Sequence, residues 1–190
     1  INPAVAAALA SETKDARYAA DTHRRFIEQY RKVVLGGHSD PVPVDPWDQL
    51  RAAVAAVFDS WYSPRARAYR SNRGLADDSG TAVTIQAVVF GNLDERSGTG
   101  VLFSRNPITG EAPAWGEWLL RGQGEDVVAG DHTPMPLDAL RDEMPNMHAE
   151  LMRAAEMLEA DARDIQDIEF TVESGRLWLL QTRSAKRSPQ

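Results

Sequence analysis

The first 78 residues carry apolar side chains at helical spacing, interrupted by capping residues, prolines and glycines. Three dipeptides place a capping side chain directly before a proline, a favoured start for a helix: Asn2-Pro3, Asp45-Pro46 and Ser63-Pro64. A further helix is predicted from about Asp21, because Phe26, Tyr30 and Val33 follow at helical spacing. The composition of residues 37–44 predicts a linker. Residues 1–78 are therefore predicted to be a helical part.

From Thr81 the pattern becomes one that is typical of strands. Residues 81–90 are rich in β-branched side chains and predict a buried strand. Further strands are predicted over 101–104 and 115–120, with a turn between them. A helix should follow Pro145, and an alternating hairpin closes the chain at 166–184. Residues 79–190 are therefore predicted to form an antiparallel sheet with flanking helices, in an α+β fold.

The closing hairpin carries its charged side chains on one face. Along its first strand, Asp167 and Glu169 alternate with apolar residues, so the two carboxylates share a face. A three-residue loop at 173–175 would put Asp167 opposite Gln181 and leave Arg183 on the same face. The other face is then predicted to be core: Ile168, Phe170, Val172, Trp178 and Leu180. A two-residue turn would instead place Gln181 among the apolar residues.

The pattern leaves two interpretations of this polar face open. Carboxylate and amide oxygens suit Mg²⁺, with phosphates and water completing its coordination shell, and the planar fork of Arg183 suits a phosphate. The alternative is a solvated face with an Asp–Arg cross-strand pair, which is the commoner case for half-exposed hairpins. Gln86 is a further polar residue of note, since inside an apolar strand it needs a protein or ligand partner.

Composition narrows the classes of function. The chain has 190 residues, of which 43% are hydrophobic and 26% charged, and a net charge of −7 at pH 7. The acidic balance argues against nucleic acid as a partner, and no apolar run reaches the roughly 18 residues of a membrane span. The absence of Cys excludes a thiolate metal site and suits the reducing cytoplasm. Because the chain starts with Ile-Asn-Pro, we expect it to begin inside a longer gene product.

Several segments, taken together, resemble one family. Three of them are specific as a set: residues 103–110 (FSRNPITG), 123–130 (QGEDVVAG) and 181–183 (QTR). With longer matches at 21–36, 45–70, 80–92 and 164–187, the sequence resembles the nucleotide-binding domain of pyruvate phosphate dikinases, an ATP-grasp fold. That fold opens with a lobe carrying a Lys, an Arg and a glycine-rich phosphate hairpin. This first lobe is expected to be missing here.

The resemblance implies a role for each polar residue of the hairpin. Glu169 and Gln181 correspond to the residues of the family that bind Mg–ATP, and both would be metal ligands. Arg183 corresponds to a phosphate contact and would be catalytic together with Glu169. Asp167 would be a supporting carboxylate. The implied cofactor is Mg²⁺, and ATP is the implied substrate.

The resemblance also implies where the adenine base binds. In the family, a hinge strand lies on the adenine side of the site, and Gln86 corresponds to a position in that strand. Ala87 and Val88 would offer backbone groups to the base. The implied enzyme is a phosphotransferase that uses Mg–ATP to phosphorylate a carrier histidine on another domain, on the way to phosphoenolpyruvate. Its partners would be that carrier domain and the pyruvate/phosphoenolpyruvate domain, with a homodimer of the full enzyme also compatible. The isolated chain would be incomplete and inactive.

Two alternatives to this function stay open. The first is the same domain in a related dikinase whose acceptor is water or an antibiotic hydroxyl; those relatives tend to have Gly-Leu-Gly-Glu where this chain has Gln-Gly-Glu at 123–125. The second is a degenerate domain that binds or regulates without turnover. The retained Glu169, Gln181 and Arg183 argue against degeneration, and the expected lack of the first lobe argues for it.

Overall fold

A computed structural model describes residues 1–124, 126 and 133–185 of the chain. It divides into two compact units, Ile1–Gln86 and Ala87–Gln190. No helix among the described residues is long and apolar enough to cross a membrane.

The first unit contains four helices: α1 Pro3–Thr13, α2 Ala16–Val33, α3 Pro46–Ser60 and α4 Pro64–Arg73. The three predicted cap-plus-proline starts are confirmed. For example, Asp45 Oδ1 accepts hydrogen bonds from the backbone N–H groups of Trp47 and Asp48 at 2.8 and 3.0 Å. The second helix starts earlier than the predicted Asp21, because Asp15 caps it by accepting from Arg17 and Tyr18.

Arg70 is the buried cation of the first unit. Its guanidinium donates to Asp77 Oδ1 at 2.6 Å and to the Trp61 carbonyl at 2.8 Å, and it lies 3.9 Å from the centroid of the Trp61 ring. A cation held by a carboxylate, a carbonyl and an aromatic face is satisfied inside the protein. Arg70 therefore has a structural role here.

The predicted buried strand over residues 81–90 is wrong. These residues form neither helix nor strand, and Ile85 and Val88 are 69% and 72% exposed. A β-branched composition favours extended structure, but a strand also needs a neighbouring strand to take its hydrogen bonds. Gln86, Ala87 and Val88 therefore lie on an exposed, irregular segment, and their part in adenine recognition stays a prediction.

Within its described residues, the second unit contains a five-stranded antiparallel sheet and two helices that are described over their full length. Its strands are β1 Gly98–Phe103, β2 Trp115–Leu120, β3 Met135–Pro136, β4 Gln166–Glu173 and β5 Arg176–Ser184, in the order β3-β2-β1-β4-β5. The helices are α5 Asp138–Glu143 and α6 Pro145–Ala162. The predicted α+β class, with an antiparallel sheet and flanking helices, is confirmed.

The core of the second unit lies on one face of this sheet. It consists of buried side chains from the strands and from α5 and α6, among them Leu102, Trp118, Leu140, Leu151, Ile168 and Phe170. The rings of Trp118 and Phe170 stack, with centroids 6.0 Å apart and planes 2° from parallel. Gly98 is required beneath this stack, because a Cβ there would collide with the Trp118 ring. The opposite face of the sheet carries Asp167, Glu169 and Gln181 together with apolar side chains such as Val101 and Trp178, and it is called the polar face below.

A two-residue turn joins β4 to β5, so the predicted three-residue loop is wrong. Ser174 and Gly175 both have positive φ, 49° and 78°, as the tight turn of a hairpin requires. Pairing starts at Glu173↔Arg176 and runs in step to Phe170↔Leu179. The register then shifts between Glu169 and Phe170, and Glu169 pairs with Gln181. Leu180 is therefore the extra residue of a β-bulge.

The turn also changes which residues of β5 face the core. Trp178 lies opposite Thr171, on the polar face, and Leu180 is 37% exposed. The prediction that these two residues belong to the core is wrong. Leu177 takes the core face opposite Val172, because a two-residue turn shifts the pairing by one residue, and a shift of one exchanges the faces.

Candidate functional site

Four polar residues of the hairpin lie together on the face opposite the core. Asp167 pairs with Arg183 and Glu169 pairs with Gln181 in the register of β4 and β5. The prediction that these residues share a face is confirmed. The prediction that Asp167 lies opposite Gln181 is wrong, because its partner is Arg183. Because directly opposed residues have Cβ atoms only about 4.5–5.5 Å apart, the four side chains can act on one ligand.

Asp167 and Arg183 form an ion pair at the open end of the hairpin. Arg183 Nε donates to Asp167 Oδ2 at 2.8 Å, and the side chains of Asp167 and Arg183 are 11% and 50% exposed. The hydrogen bond that Arg183 donates to Asp167, and the negative charge of the Asp167 carboxylate, raise the pKa of Arg183 above its ordinary value. A guanidinium has five N–H donors, so Asp167 orients Arg183 and leaves donors for a phosphate.

Glu169 and Gln181 supply two oxygen donors side by side. Neither side chain has a hydrogen-bond partner among the described residues, and Glu169 is half-buried. No group of three or more His, Cys, Asp or Glu in the described part of the chain is placed to hold a metal ion. These two oxygens fit Mg²⁺ only when phosphates and water complete its shell, the usual manner for Mg²⁺ in nucleotide sites.

Glu117 is a further candidate residue that the sequence analysis missed. It pairs with Val101 across β2 and β1, and Val101 pairs with Glu169 across β1 and β4. Glu117, Val101, Glu169 and Gln181 therefore form one row across four strands, with the carboxylates of Glu117 and Glu169 two strands apart. The available signal was a single charged residue inside the otherwise uncharged run 115–120.

Comparison with known proteins identifies the family of the chain. Residues 26–145, more than half of the chain, match the family model described as "Pyruvate phosphate dikinase, AMP/ATP-binding domain". The chain belongs to this family. The match ends before β4 and β5, so the roles of the hairpin residues rest on their geometry and on the resemblance noted from the sequence.

Curated relatives agree with the family assignment. The chain is 51% identical over 165 residues to "Pyruvate, phosphate dikinase 2" of Zea mays, covering 87% of this chain and 19% of that protein. It is 50% identical over 174 residues to "Pyruvate, phosphate dikinase, chloroplastic" of Mesembryanthemum crystallinum, covering 92% of this chain and 18% of that protein. The chain therefore spans about a fifth of the length of these relatives. The predicted resemblance to the family is confirmed.

The motifs that carried the resemblance are only partly described. In the pyruvate phosphate dikinase motif at 103–110, Asn106 Oδ1 accepts from the N–H groups of Ile108 and Thr109, which makes the predicted turn. In the motif at 123–130, Gln123 N–H donates to Asp126 Oδ2 at 2.8 Å. Residues 125, 127–130 and 186–187 of the quoted segments lie outside the described residues.

Asp94 fixes the turn of the hairpin. It accepts from Ser174 Oγ at 2.5 Å, from Ser97 Oγ at 2.6 Å and from the Arg96 N–H at 2.9 Å. Burial opposes ionisation of this carboxyl, but these hydrogen bonds and the Arg96 charge together lower its pKa below the ordinary value. The loop before β1 therefore holds the β4–β5 turn from outside the sheet.

Proposed function

We propose that this chain is an ATP-grasp domain that binds Mg–ATP on the polar face of β4 and β5. One observation carries the proposal: Glu169 and Gln181 lie directly opposite each other, beside the Asp167–Arg183 pair, on the sheet face opposite the core. A face with two oxygen donors and an oriented guanidinium suits a metal-bound polyphosphate. Membership of a family named for AMP/ATP binding supports the same ligand.

Each polar side chain has a distinct part in this proposal. Glu169 and Gln181 would hold Mg²⁺, which neutralises phosphate charge when bound. Arg183, kept charged and oriented by Asp167, would contact the phosphoryl group and stabilise negative charge as it develops. Glu117 lies two strands away from Glu169 and would form the opposite boundary of the phosphate site. We also propose that Ala87 and Val88, with Gln86, recognise the adenine base, as the resemblance implies.

The proposed reaction is phosphoryl transfer from ATP to a carrier histidine on another domain, on the way to phosphoenolpyruvate. Curated relatives at about 50% identity are named pyruvate, phosphate dikinases, which supports this acceptor. ATP and phosphate would be consumed, and AMP and pyrophosphate released. A cytoplasmic location stays a prediction from the cysteine-free sequence; the Mesembryanthemum crystallinum relative is chloroplastic by name.

Calorimetric titration tests the proposal directly. The full-length gene product is titrated with a non-hydrolysable ATP analogue in the presence of Mg²⁺, beside Glu169→Ala. We expect the variant to lose at least about tenfold in affinity, because a charge-assisted ligand of the metal–phosphate group is gone. Glu156→Ala, an exposed glutamate on α6, is the matched control and should bind as the wild type does. Equal binding by Glu169→Ala would overturn the proposal.

A further inference from the structure

A hydrogen bond joins the predicted base-recognition segment to the hairpin. The N–H of Phe90 donates to Glu173 Oε1 at 2.7 Å. Phe90 follows directly on residues 87–89, and Glu173 is the last residue of β4, next to the turn. A bond from a backbone N–H to a carboxylate is charge-assisted and strongly directional. The strand that carries Glu169 therefore also holds the segment that carries Ala87 and Val88.

The chain beyond Phe90 is anchored independently of Glu173. A Cβ on Gly91 would collide with the Gly122 carbonyl and lie 2.9 Å from the Gly98 carbonyl oxygen, so the backbone at 91 is packed against the ends of β1 and β2. Asn92 Oδ1 then accepts from Gln123 Nε2 at 2.8 Å. Loss of the Glu173 carboxylate would consequently remove the hydrogen bond that ties residues 87–90 to β4, while leaving the chain from 91 onward in place.

We propose that Glu173 is a positioning residue that sets base selectivity by fixing the 87–90 segment relative to the phosphate-binding hairpin. The inference rests on the proposed function, since it takes Ala87 and Val88 as the backbone groups that meet the base. Adenine and guanine carry opposite groups at the six-position, an amino donor and a carbonyl acceptor. Backbone groups discriminate between them only when held in a fixed place, because an unpaired polar group is what rejects the wrong base.

The test separates base recognition from phosphate recognition. Wild type, Glu173→Ala and Glu173→Gln of the full-length gene product are titrated with Mg–ATP, Mg–GTP and Mg–tripolyphosphate, which has no base. We expect Glu173→Ala to bind Mg–ATP about tenfold more weakly and to lose about the same factor in its preference for ATP over GTP. Its affinity for Mg–tripolyphosphate should stay within about twofold of wild type. Glu173→Gln keeps an oxygen acceptor at the same reach and should restore the preference.

Four other results would overturn the positioning role of Glu173, the assignment of the base-recognition segment or the proposed function. If Glu173→Ala keeps the ATP affinity and preference of the wild type, the positioning role is overturned while the proposed function stands. Equal losses for Mg–ATP and Mg–tripolyphosphate would show that Glu173 supports the hairpin as a whole, which also overturns it. If the wild type binds tripolyphosphate but shows no preference for ATP, the base-recognition segment has been assigned wrongly. Failure of the wild type to bind any of the three overturns the proposed function, and the inference with it.

Discussion

Glu169 lies directly opposite Gln181, although the turn that joins their strands sets the two residues one position out of step. Counting from the Ser174–Gly175 turn, the partner of Glu169 would be Leu180. The bulge at Leu180 adds one residue to β5 and brings the amide of Gln181 beside the carboxylate. Bulges are a common means of re-aiming a side chain near a functional site, and here the result is a pair of oxygen donors.

The Glu169–Gln181 pair predicts that Mg²⁺ binding depends on the nucleotide. With one carboxylate and one amide, the protein supplies too few charged ligands to hold Mg²⁺ by itself. Titration of the wild type with Mg²⁺ alone should give no calorimetric signal, whereas the signal should appear with an ATP analogue present. Gln181→Glu adds a second carboxylate and should raise the affinity for Mg²⁺ alone by about tenfold or more. Tight binding of Mg²⁺ alone by the wild type would contradict the two-donor site.

The Asp167–Arg183 pair predicts an asymmetric stability effect. Arg183→Ala leaves a nearly buried carboxylate without its partner, and we expect the free energy of unfolding to fall by about 1–2 kcal/mol. The value is modest because Arg183 is half exposed and the pair is partly screened by solvent. Arg183→Lys keeps the charge and should cost less. Urea denaturation measures both, with the exposed Arg153→Ala on α6 as a control that changes stability by no more than about 0.5 kcal/mol.

Gly98 predicts a packing effect in the core. A Cβ at this position would collide with the ring of Trp118, which is itself stacked on Phe170. Gly98→Ala should therefore lower the free energy of unfolding by about 1–3 kcal/mol, the usual cost of overpacking a close-packed core. Gly124→Ala is the matched control, because no atom of the residues that the structure describes lies within 4 Å of a Cβ there. Equal melting temperatures for the two variants would show that Trp118 can move aside.

Asp94 predicts a pH-dependent contribution to stability. Its pKa is lowered in the folded state, so its contribution to the free energy of unfolding is complete above the unfolded value of about 3.9. That contribution should be lost as the pH falls from there through the lower, folded pKa. The measurement is the difference in unfolding free energy between wild type and Asp94→Ala from pH 6 down to pH 2. A difference that stays constant over this range would exclude a role for the Asp94 charge.

Local chemistry explains why the helix starts could be predicted. The caps at Asn2, Asp45 and Ser63 are hydrogen bonds to N–H groups at most three residues away, so the sequence alone specifies them. The alternation of Asp167 and Glu169 with apolar residues likewise placed both carboxylates on one face. The strand at 115–120 and the helix from Pro145 have the predicted starts for the same local reasons.

The tertiary structure decided the features that depend on distant partners. The two-residue β4–β5 turn and the bulge at Leu180 set the pairing of β5 with β4, and this pairing overturned the core assignments of Trp178 and Leu180. Glu117 joined the row of Glu169 only through two strand pairings that no local pattern encodes. The segment 81–90 has the composition of a strand but no ladder among the described residues. The sequence by itself thus determined the helix caps and the periodicity, because their interactions span a few residues. The strand register and the row that contains Glu117 and Glu169 came from hydrogen bonds between segments far apart in the chain.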